Sequence, residues 1–529
     1  MPSISSPSLG RSGHEPRRTR AQLRDEATRQ AAALVELAIE RGGTDTTFTA
    51  FEVALADAIF ALARTVLVLF LVVAEERVSA GLTDEMVHDG RVFRRDRSLP
   101  RSLMSRFGIV RYWRTYMRST APGSARRHGF HPLDVSLGLL ADRIAPSLLA
   151  LAVRLAARMS FAEARDVLGW FVPSVPSVEV IQAATLGYGR YAPEWFESAP
   201  APENDGQVLI AQLDSKGAPT ATESELAARR GKRKKKRGGK SGSPRHRGRQ
   251  KRERFTRKAR RLPGDKSKNA KMATVLVMYT LHRTRAGYLH GPINKRVYGS
   301  FACKRHAVEF ARREATKRGF PPGTRKQVQV LTDGDEALQL YTGELFPDAI
   351  HTVDIIHVVE KVWSAGHCLF KKRGEREEWV EAQKTALYEN RTADIVAELR
   401  RRHDAVSRSG PGTATKRETL DGIATYIEKR IDRTNYGALM DRDLEVGTGA
   451  VEGAIRALMC RRMDYGSMRW IKERAEAVLQ LRCIDTNGDW DAFVRFIHDK
   501  IRARGEQQGQ RIRLQQRVPQ PLPTMQEAA

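Results

Sequence analysis

The sequence predicts a mixed architecture, in which an α/β core receives an all-α insertion and follows a mainly helical N-terminal region. Residues 357–446 are charged, have helical periodicity and give no strand signal. Residues 21–145 and 447–504 are also mainly helical in pattern. Short apolar runs typical of strands are concentrated in the middle of the chain, at 207–213, 272–281, 295–301, 326–332 and 349–354.

The N-terminal region divides into a polar tail, expected to be disordered over residues 1–20, and a mainly helical segment over 21–145. An apolar stretch at 58–74 contains Arg64 and is short for a membrane span. We therefore expect a buried helix there and no membrane partner. Within the same segment, residues 110–116 alternate in polarity as a strand does.

Residues 146–200 have the pattern of a helix-turn-helix, the type of motif that binds DNA. Ser160 and Glu163 form a capping box at the start of a short helix, a turn follows, and Ser177 caps the next helix. Ordinary helical packing is the alternative interpretation of the same pattern.

The α/β core begins at 205 and continues to 356, with a helix predicted over 303–318 between its third and fourth strands. The formal charge of the chain is +29, and residues 229–261 carry 19 Lys or Arg and one Glu. This basic loop joins the first two strands, so we expect it to contact phosphate, although a solvated basic tract or a localisation signal would have the same composition. Its central residues are Arg233, Lys234, Lys235 and Lys236.

Composition excludes several classes of protein. The four cysteines are far apart and form no CxxC pair, which makes a disulfide framework or a zinc site unlikely. There is no Walker A motif and no GxGxxG, so we expect no bound nucleotide. The N-terminal tail lacks the apolar segment of a secretory signal, and the C-terminal tail, 505–529, is rich in Gln and Pro and is expected to be disordered.

Carboxylates follow two of the predicted strands. Asp214 ends the first strand and Asp333 ends the fourth, while Asp335 and Glu336 are weaker alternatives to Asp333. Glu452 begins a helix within the last region, 447–504, and could supply a third carboxylate. Mg²⁺ prefers oxygen ligands, and two such ions can activate a nucleophile and neutralise charge during phosphodiester cleavage. In a basic chain, this pattern indicates an enzyme that cuts and joins nucleic acid.

Glu452 also has a purely structural interpretation. With Gly449 as N-cap, it would lie at the third helical position, where the helix dipole favours an acid, and it could pair with Arg456. The stretch that follows is basic and aromatic, which suits contact with DNA. The residues that we expect to contact DNA there are Arg456, Arg461, Arg462, Trp470 and Lys472.

Asp354 and His357 form a third polar group, at the end of the last predicted strand. They have two interpretations of equal weight. Asp354 is either an ordinary helix N-cap, or the two residues support the site or contact nucleic acid.

The motifs occur in an order that resembles the Mutator-like superfamily of DDE transposases, and they are most similar to bacterial insertion-sequence transposases of the ISKra type. The likeness covers roughly residues 105–500. The matching segments are His131–Asp134, Ser160–Ala164, Leu213–Gly217, Leu331–Gly334, Phe346–His351, Asp354–His357, Gly449–Glu452, Arg461–Arg462 with Trp470, Leu481–Arg482 and Asn487–Trp490.

The resemblance implies an RNase H-like catalytic core, a metal-binding triad of Asp214, Asp333 and Glu452, and a supporting signature formed by Asp354 and His357. It implies an endonuclease that uses Mg²⁺, with Mn²⁺ as a substitute, to cut the terminal inverted repeats of a mobile element and transfer the freed 3′-hydroxyl to target DNA. A homo-oligomer on paired DNA ends, in the bacterial cytoplasm with the nucleoid, is expected. A domesticated DNA-binding protein and a nuclease without strand transfer are the alternatives. Relatives often carry a zinc ribbon near 111–130, where this chain has no cysteine.

Overall fold

The computed structural model describes residues 17–88, 91–120, 129–139, 143–227, 270–464 and 468–503. They form two compact units, the first from the described residues of 17–188 together with 491–503 and the second from those of 189–490. The two tails predicted to be disordered, except for residues 17–20, and the basic loop with Arg233, Lys234, Lys235 and Lys236 lie outside the described residues.

The first unit begins with two helices and an antiparallel sheet, so the prediction of a mainly helical segment over 21–145 is wrong in its second half. Arginines interrupt the alternation of the second strand, which hides it in the sequence. The elements are α1 (Arg20–Gly42), α2 (Phe48–Ala80), β1 (Glu85–His88), β2 (Arg91–Ser105), β3 (Gly108–Ser119) and β4 (Gly129–Phe130), and the sheet order is β1-β2-β3-β4.

Helix α2 is not the fully buried helix that the sequence predicts. One face, with Val68 and Leu71, packs into a core that includes Tyr112 of β3. Ile59 and Val66, in contrast, are each 48% exposed. Among the described residues, α2 is also long and apolar enough to cross a membrane, a test that helices of soluble proteins pass as well.

A buried ionic cluster joins the sheet of the first unit to the helix that follows it. The Asp134 carboxylate forms a salt bridge with the Arg101 guanidinium, with 2.8 Å between nitrogen and oxygen, accepts a hydrogen bond from the Tyr112 hydroxyl at 3.1 Å and pairs with Arg114. Burial, together with the neighbouring Arg101, lowers the pKa of Arg114 to about 10. Because three charged groups are buried together, each of them depends on the others for compensation.

The remaining helices of the first unit include the predicted helix-turn-helix segment. The capping box of Ser160 and Glu163 is confirmed, with the two reciprocal bonds at 3.2 and 2.9 Å. The Ser177 hydroxyl accepts from the N–H of Val180 at 3.4 Å. Contact with DNA through this segment stays a prediction. The helices are α3 (Pro132–Ser136), α4 (Pro146–Arg158), α5 (Phe161–Leu168) and α6 (Val178–Gly189).

The second unit is built on a five-stranded mixed sheet that contains all five predicted strands. The order is β7-β6-β5-β8-β9, with β5 in the centre, antiparallel to β6 and parallel to β8. The helix predicted over 303–318 is present. The elements are α7 (Ala192–Ser198), β5 (Val208–Pro219), α8 (223–227), β6 (Ala270–Arg283), β7 (Leu289–Ser300), α9 (Lys304–Lys317), β8 (Gln327–Thr332), α10 (Glu336–Leu345) and β9 (Ile350–Val353).

The segment after β9 is helical throughout 355–446, apart from its connections, as the sequence predicts. Its helices enclose an apolar core of their own, centred on Val362, Leu399 and Ile427. They are α11 (Ile355–Leu369), α12 (Arg373–Tyr388), α13 (Thr392–Asp404), α14 (Thr413–Glu428), a 3₁₀ turn (Ile431–Arg433) and α15 (Tyr436–Met440).

The chain then returns to the sheet, and two predicted domain boundaries need correction. The returning helices are α16 (Gly449–Ile455), which continues as a π-helical turn (Arg456–Cys460), α17 (Lys472–Thr486) and α18 (Trp490–Ala503). From Asp491 onward, α18 belongs to the first unit and not to a closing group over 447–504. The second unit begins at Gly189, so α7 belongs to it and not to the 146–200 segment.

Candidate active site

The sheet register brings two of the three predicted carboxylates together. Strands β5 and β8 run parallel, and their last paired residues are Leu213 and Thr332. The next residue of each strand is Asp214 and Asp333, so both acids emerge at the same edge of the sheet. Asp214 does not end its strand, because β5 continues to Pro219 in its hairpin with β6; it lies instead where the pairing with β8 stops.

The charge of the third acid acts on Asp214. Burial and the carboxylates of Asp333 and Glu452 together raise the pKa of Asp214 to about 6, against the Ser215 N–H and His357, which lower it. The charges of both carboxylates act on Asp214, so the three acids share one electrostatic environment. Asp214, Asp333 and Glu452 are called the acidic cluster below, although among the described residues their ligand atoms do not form a group within 4.8 Å.

The alternatives to Asp333 have other roles in the structure. The Asp335 carboxylate caps α10 by accepting from the N–H of Leu338 at 3.0 Å, and it also pairs with Lys304. Glu336 is exposed on the first turn of the same helix. The Asp333 carboxylate accepts a local hydrogen bond, from the N–H of Asp335 at 3.0 Å.

The helical insertion holds the turn that carries Asp333. The Tyr426 hydroxyl, on α14, donates to the carbonyl of Asp333 at 3.2 Å. Buried Arg430 donates to the carbonyl of Gly334 at 2.7 Å and lies over the Tyr426 ring, 4.1 Å from its centre. Gly334 has a φ of +89°, and a Cβ there would lie 2.1 Å from the Tyr426 hydroxyl. Sequence reasoning missed Tyr426 and Arg430, which nothing in the motifs marks out.

The start of α16 places Glu452, and it differs from the prediction. The N-cap is Thr448 and not Gly449, so Glu452 lies at the fourth helical position. Buried Gln212, two residues before Asp214, accepts from the N–H of Val451 at 3.1 Å and donates to the carbonyl of Gly447 at 3.3 Å. A side chain of the strand that carries Asp214 thus fixes the backbone beside Glu452.

A second buried glutamine repeats this arrangement on β8. Gln329 donates to the carbonyl of Glu445 at 2.6 Å and accepts from its N–H at 3.1 Å, and the Tyr279 hydroxyl donates to the Glu445 carboxylate at 2.8 Å. Because these bonds are satisfied only when the 445–451 segment lies in one register, they set the position of α16. Gln212 and Gln329 inside otherwise apolar strands were the signal in the sequence for this role.

Asp354 acts both as a helix cap and as a partner of His357. Its fully buried carboxylate accepts from the N–H of Ile356 at 2.9 Å, from His357 Nδ1 at 2.9 Å and from the Thr448 hydroxyl. The hydrogen bond that His357 Nδ1 donates to the Asp354 carboxylate raises the pKa of His357 to about 9, helped by the charges of Asp354 and Asp333. His357 is therefore an imidazolium at neutral pH.

Two sets of residues could hold a metal ion. Ligand atoms of Asp354, His357 and Glu452 lie within 4.8 Å of one another. However, the Asp354 oxygens already accept three hydrogen bonds, and a protonated His357 repels a cation. Asp214 and Asp333, together with Glu452, offer ionisable oxygens whose mutual repulsion a divalent ion would relieve, and two-metal sites do not need all their ligands in one tight group. Only the first set forms a close group in the part of the chain that the structure describes, and a magnesium site at the second set stays a prediction.

The residues predicted to contact DNA differ in how far their side chains are exposed. Arg456 and Arg461 are exposed. The prediction is wrong for Arg462 and Trp470, because both side chains are buried. The Arg462 guanidinium lies 4.8 Å from the centre of the Trp470 ring, and the indole N–H donates to the carbonyl of Met463 at 3.1 Å. Lys472 is half-buried at the start of α17. Arg462 and Trp470 therefore build the core and do not face a ligand.

Comparisons with known proteins add little. No family model matches the chain, and no curated protein matches it. Among solved structures, the chain is similar to the Drosophila P element transposase strand transfer complex, with 10% identity and a TM-score of 0.20, over 70% of this chain and 84% of that one. A TM-score this low carries no argument about fold or function.

Proposed function

We propose that this chain is a metal-dependent DDE transposase that cuts the ends of a mobile element and joins them to target DNA. One observation carries the proposal: Asp214, Asp333 and Glu452 interact electrostatically at one edge of a mixed sheet, although they are distant in the sequence. The order of strands and the all-α insertion before Glu452 are compatible with an RNase H-like core of the Mutator-like, ISKra type.

The three carboxylates would hold divalent metal, with Mg²⁺ as the natural ion and Mn²⁺ as a substitute. Bound metal would supply activation of a water or 3′-hydroxyl and neutralise charge on the phosphate. The charges of the other two acids both raise the pKa of Asp214, so Asp214 suits the role of a ligand shared by two metal ions. Its raised pKa describes the protein without metal; a cation would favour the ionised form.

His357 would balance the negative charge of this cluster and contact the DNA backbone. Its Nδ1 is engaged by Asp354, which leaves Nε2 as the nitrogen that can donate to a phosphate oxygen. The buried Asp354 carboxylate raises the pKa of His357, so Nε2 would carry its proton at neutral pH.

The wider DNA contacts follow from charge. The net charge of +29 favours a polyanionic partner, and exposed Arg456 and Arg461 follow directly after the helix of Glu452. We also propose that residues 146–200 bind the terminal repeats and that two or more copies act on paired ends, in the cytoplasm of a bacterium.

Cleavage of labelled DNA that carries the ends of the element tests this proposal. Wild type is compared with Asp214→Asn and Glu452→Gln, each with Mg²⁺ and with EDTA. Glu336→Gln is the matched control, because Glu336 is an exposed acid close in sequence to Asp333. We expect wild type and the control to cut only with metal, and the two other variants to bind DNA without cutting it.

Three other outcomes would change the proposal. Normal cutting by Glu452→Gln would move the third ligand elsewhere. Binding without cutting by every protein would favour a DNA-binding protein that retains its acids. Cutting without joining of a pre-cut 3′-hydroxyl end to target DNA would favour a nuclease.

A further inference from the structure

One face of α2 carries a seam of eight side chains that the first unit leaves mostly uncovered, with six of them exposed and Ala63 and Val73 half-buried. Its residues follow one another at alternating intervals of four and three, the spacing of helices that pack side by side. Six are apolar, and the two end residues are acidic and basic. The seam consists of Glu52, Ala56, Ile59, Ala63, Val66, Phe70, Val73 and Arg77.

The opposite face of α2 is fully used. Val68 and Leu71 are buried in the core of the first unit, and the buried carboxylate of Glu75 accepts from the N–H and hydroxyl of Thr115 on β3, at 2.7 and 2.6 Å. In contrast, Phe70 is 55% exposed and Val66 is 48% exposed. The helix is therefore fixed in rotation, and the seam stays exposed on the described part of the unit.

We propose that the seam binds the same seam of a second copy of this chain, with the two helices antiparallel. A twofold axis midway between Ala63 and Val66 places Ile59 against Phe70 of the other copy and Ala63 against its Val66. The same axis brings Glu52 at one end against Arg77 of the other copy.

Charge complementarity selects this arrangement. Symmetry creates two Glu52–Arg77 pairs, one at each end of the seam, and neither residue has an ion pair among the described residues of its own chain. A parallel pairing would place Glu52 against Glu52 and Arg77 against Arg77, which is unfavourable. The seam extends over 26 residues, roughly 38 Å of helix, which is long enough for a specific helix pair.

A lipid bilayer fits this helix less well. The seam ends in charged residues, and the helix also carries Asp57 and Arg64 between them. Arg64 donates to the carbonyl of Phe107 at 3.0 Å, and Glu75 is tied to β3, so α2 could enter a membrane only by leaving its own core.

The inference is independent of the proposed chemistry, because the seam lies in the first unit and the carboxylate cluster in the second. It names the surface through which two copies associate before any DNA is present. If the chain acts on two DNA ends, this dimer would supply one copy for each end.

Sedimentation velocity of the full chain without DNA, over a range of concentrations, tests the seam. We expect wild type to be a dimer. Val66→Glu places two like charges at the centre of the seam, so the dissociation constant should rise roughly a hundredfold or more. The matched control is Leu340→Glu, since Leu340 is also an exposed apolar residue, 64% exposed, on a helix of the second unit. It should stay dimeric.

Exchange of the end charges tests the orientation. Glu52→Arg alone should weaken the dimer roughly tenfold, and adding Arg77→Glu should restore it, because the antiparallel pairs are then remade with reversed sign. Circular dichroism of each variant checks that the fold is intact. The inference is overturned if wild type is monomeric throughout, if Val66→Glu remains a dimer, or if the double exchange gives no recovery.

Two further results separate the alternatives. Co-sedimentation of a monomeric wild type with phosphatidylcholine vesicles would assign the seam to a membrane and overturn the inference. Asp214→Asn should dimerise normally, so a failure of the seam and a failure of the proposed active site give different results.

Discussion

Substitution of Gly334 by alanine gives a direct test of how the insertion supports the active site. Gly334 follows Asp333 and has a φ of +89°, which an alanine adopts at a cost of roughly 1 kcal/mol. The new Cβ would also lie 2.1 Å from the Tyr426 hydroxyl, so either that side chain or the turn must move. Movement breaks the bond from Tyr426 to the Asp333 carbonyl, worth about 1 kcal/mol.

We therefore expect Gly334→Ala to lower the free energy of unfolding by about 2–3 kcal/mol, the sum of strain, contact and lost hydrogen bond. The Asp333 carboxylate should move with the turn. Because a displacement of about 1 Å can reduce a rate roughly a hundredfold, cleavage should fall much more than DNA affinity.

Urea unfolding and the cleavage assay measure the two effects. The rescue variant is Gly334→Ala combined with Tyr426→Phe, because removal of the hydroxyl leaves the Cζ atom, at 3.0 Å, as the nearest contact. The double variant should cost less than the sum of the two single variants. Wild-type stability and wild-type cleavage in Gly334→Ala would refute the idea that α14 holds this turn.

Three other predictions concern residues outside the acidic cluster. Burial raises the pKa of Glu476 to about 7. Because the folded protein holds this proton more tightly than the unfolded chain, the free energy of unfolding should fall by about 3 kcal/mol between pH 4.5 and 8. Urea unfolding at several pH values should show a smaller fall for Glu476→Gln. Gln212→Leu should lower the free energy of unfolding by about 1–3 kcal/mol and slow cleavage without weakening DNA binding; unchanged cleavage would contradict its positioning role. Asp134→Ala leaves Arg101 and Arg114 buried without their carboxylate, so the first unit should lose about 3–5 kcal/mol in thermal or urea unfolding, and a neutral result would exclude the cluster as a stabilising element.

The sequence was sufficient for the core of the second unit because local patterns determine it. Apolar runs mark the five strands, and an acid directly after two of them places Asp214 and Asp333 at one edge as soon as those strands are parallel neighbours. In the N-terminal sheet, the alternation at 110–116 predicted β3, but β2 was missed because its arginines and Pro100 break the alternation. The exposure of α2 was missed because apolar composition alone does not tell which face has a partner.

The supports of the site could not be predicted, since they join residues that are remote in the chain. The bond from Tyr426 to Asp333 spans 93 residues, and the bond between Val451 and Gln212 spans 239. Composition misled for Arg462 and Trp470: basic and aromatic residues suggested a DNA surface, but a guanidinium stacked on an indole can be buried as a unit.

Binding of Mn²⁺, measured by electron paramagnetic resonance, tests the central claim most directly, because it needs no DNA sequence. Wild type is compared with Asp214→Asn, Glu452→Gln and His357→Gln. We expect the first two variants to lose affinity for the ion and His357→Gln to keep it. Loss of binding in His357→Gln with normal binding in Asp214→Asn would contradict the proposed triad and place the ion among Asp354, His357 and Glu452.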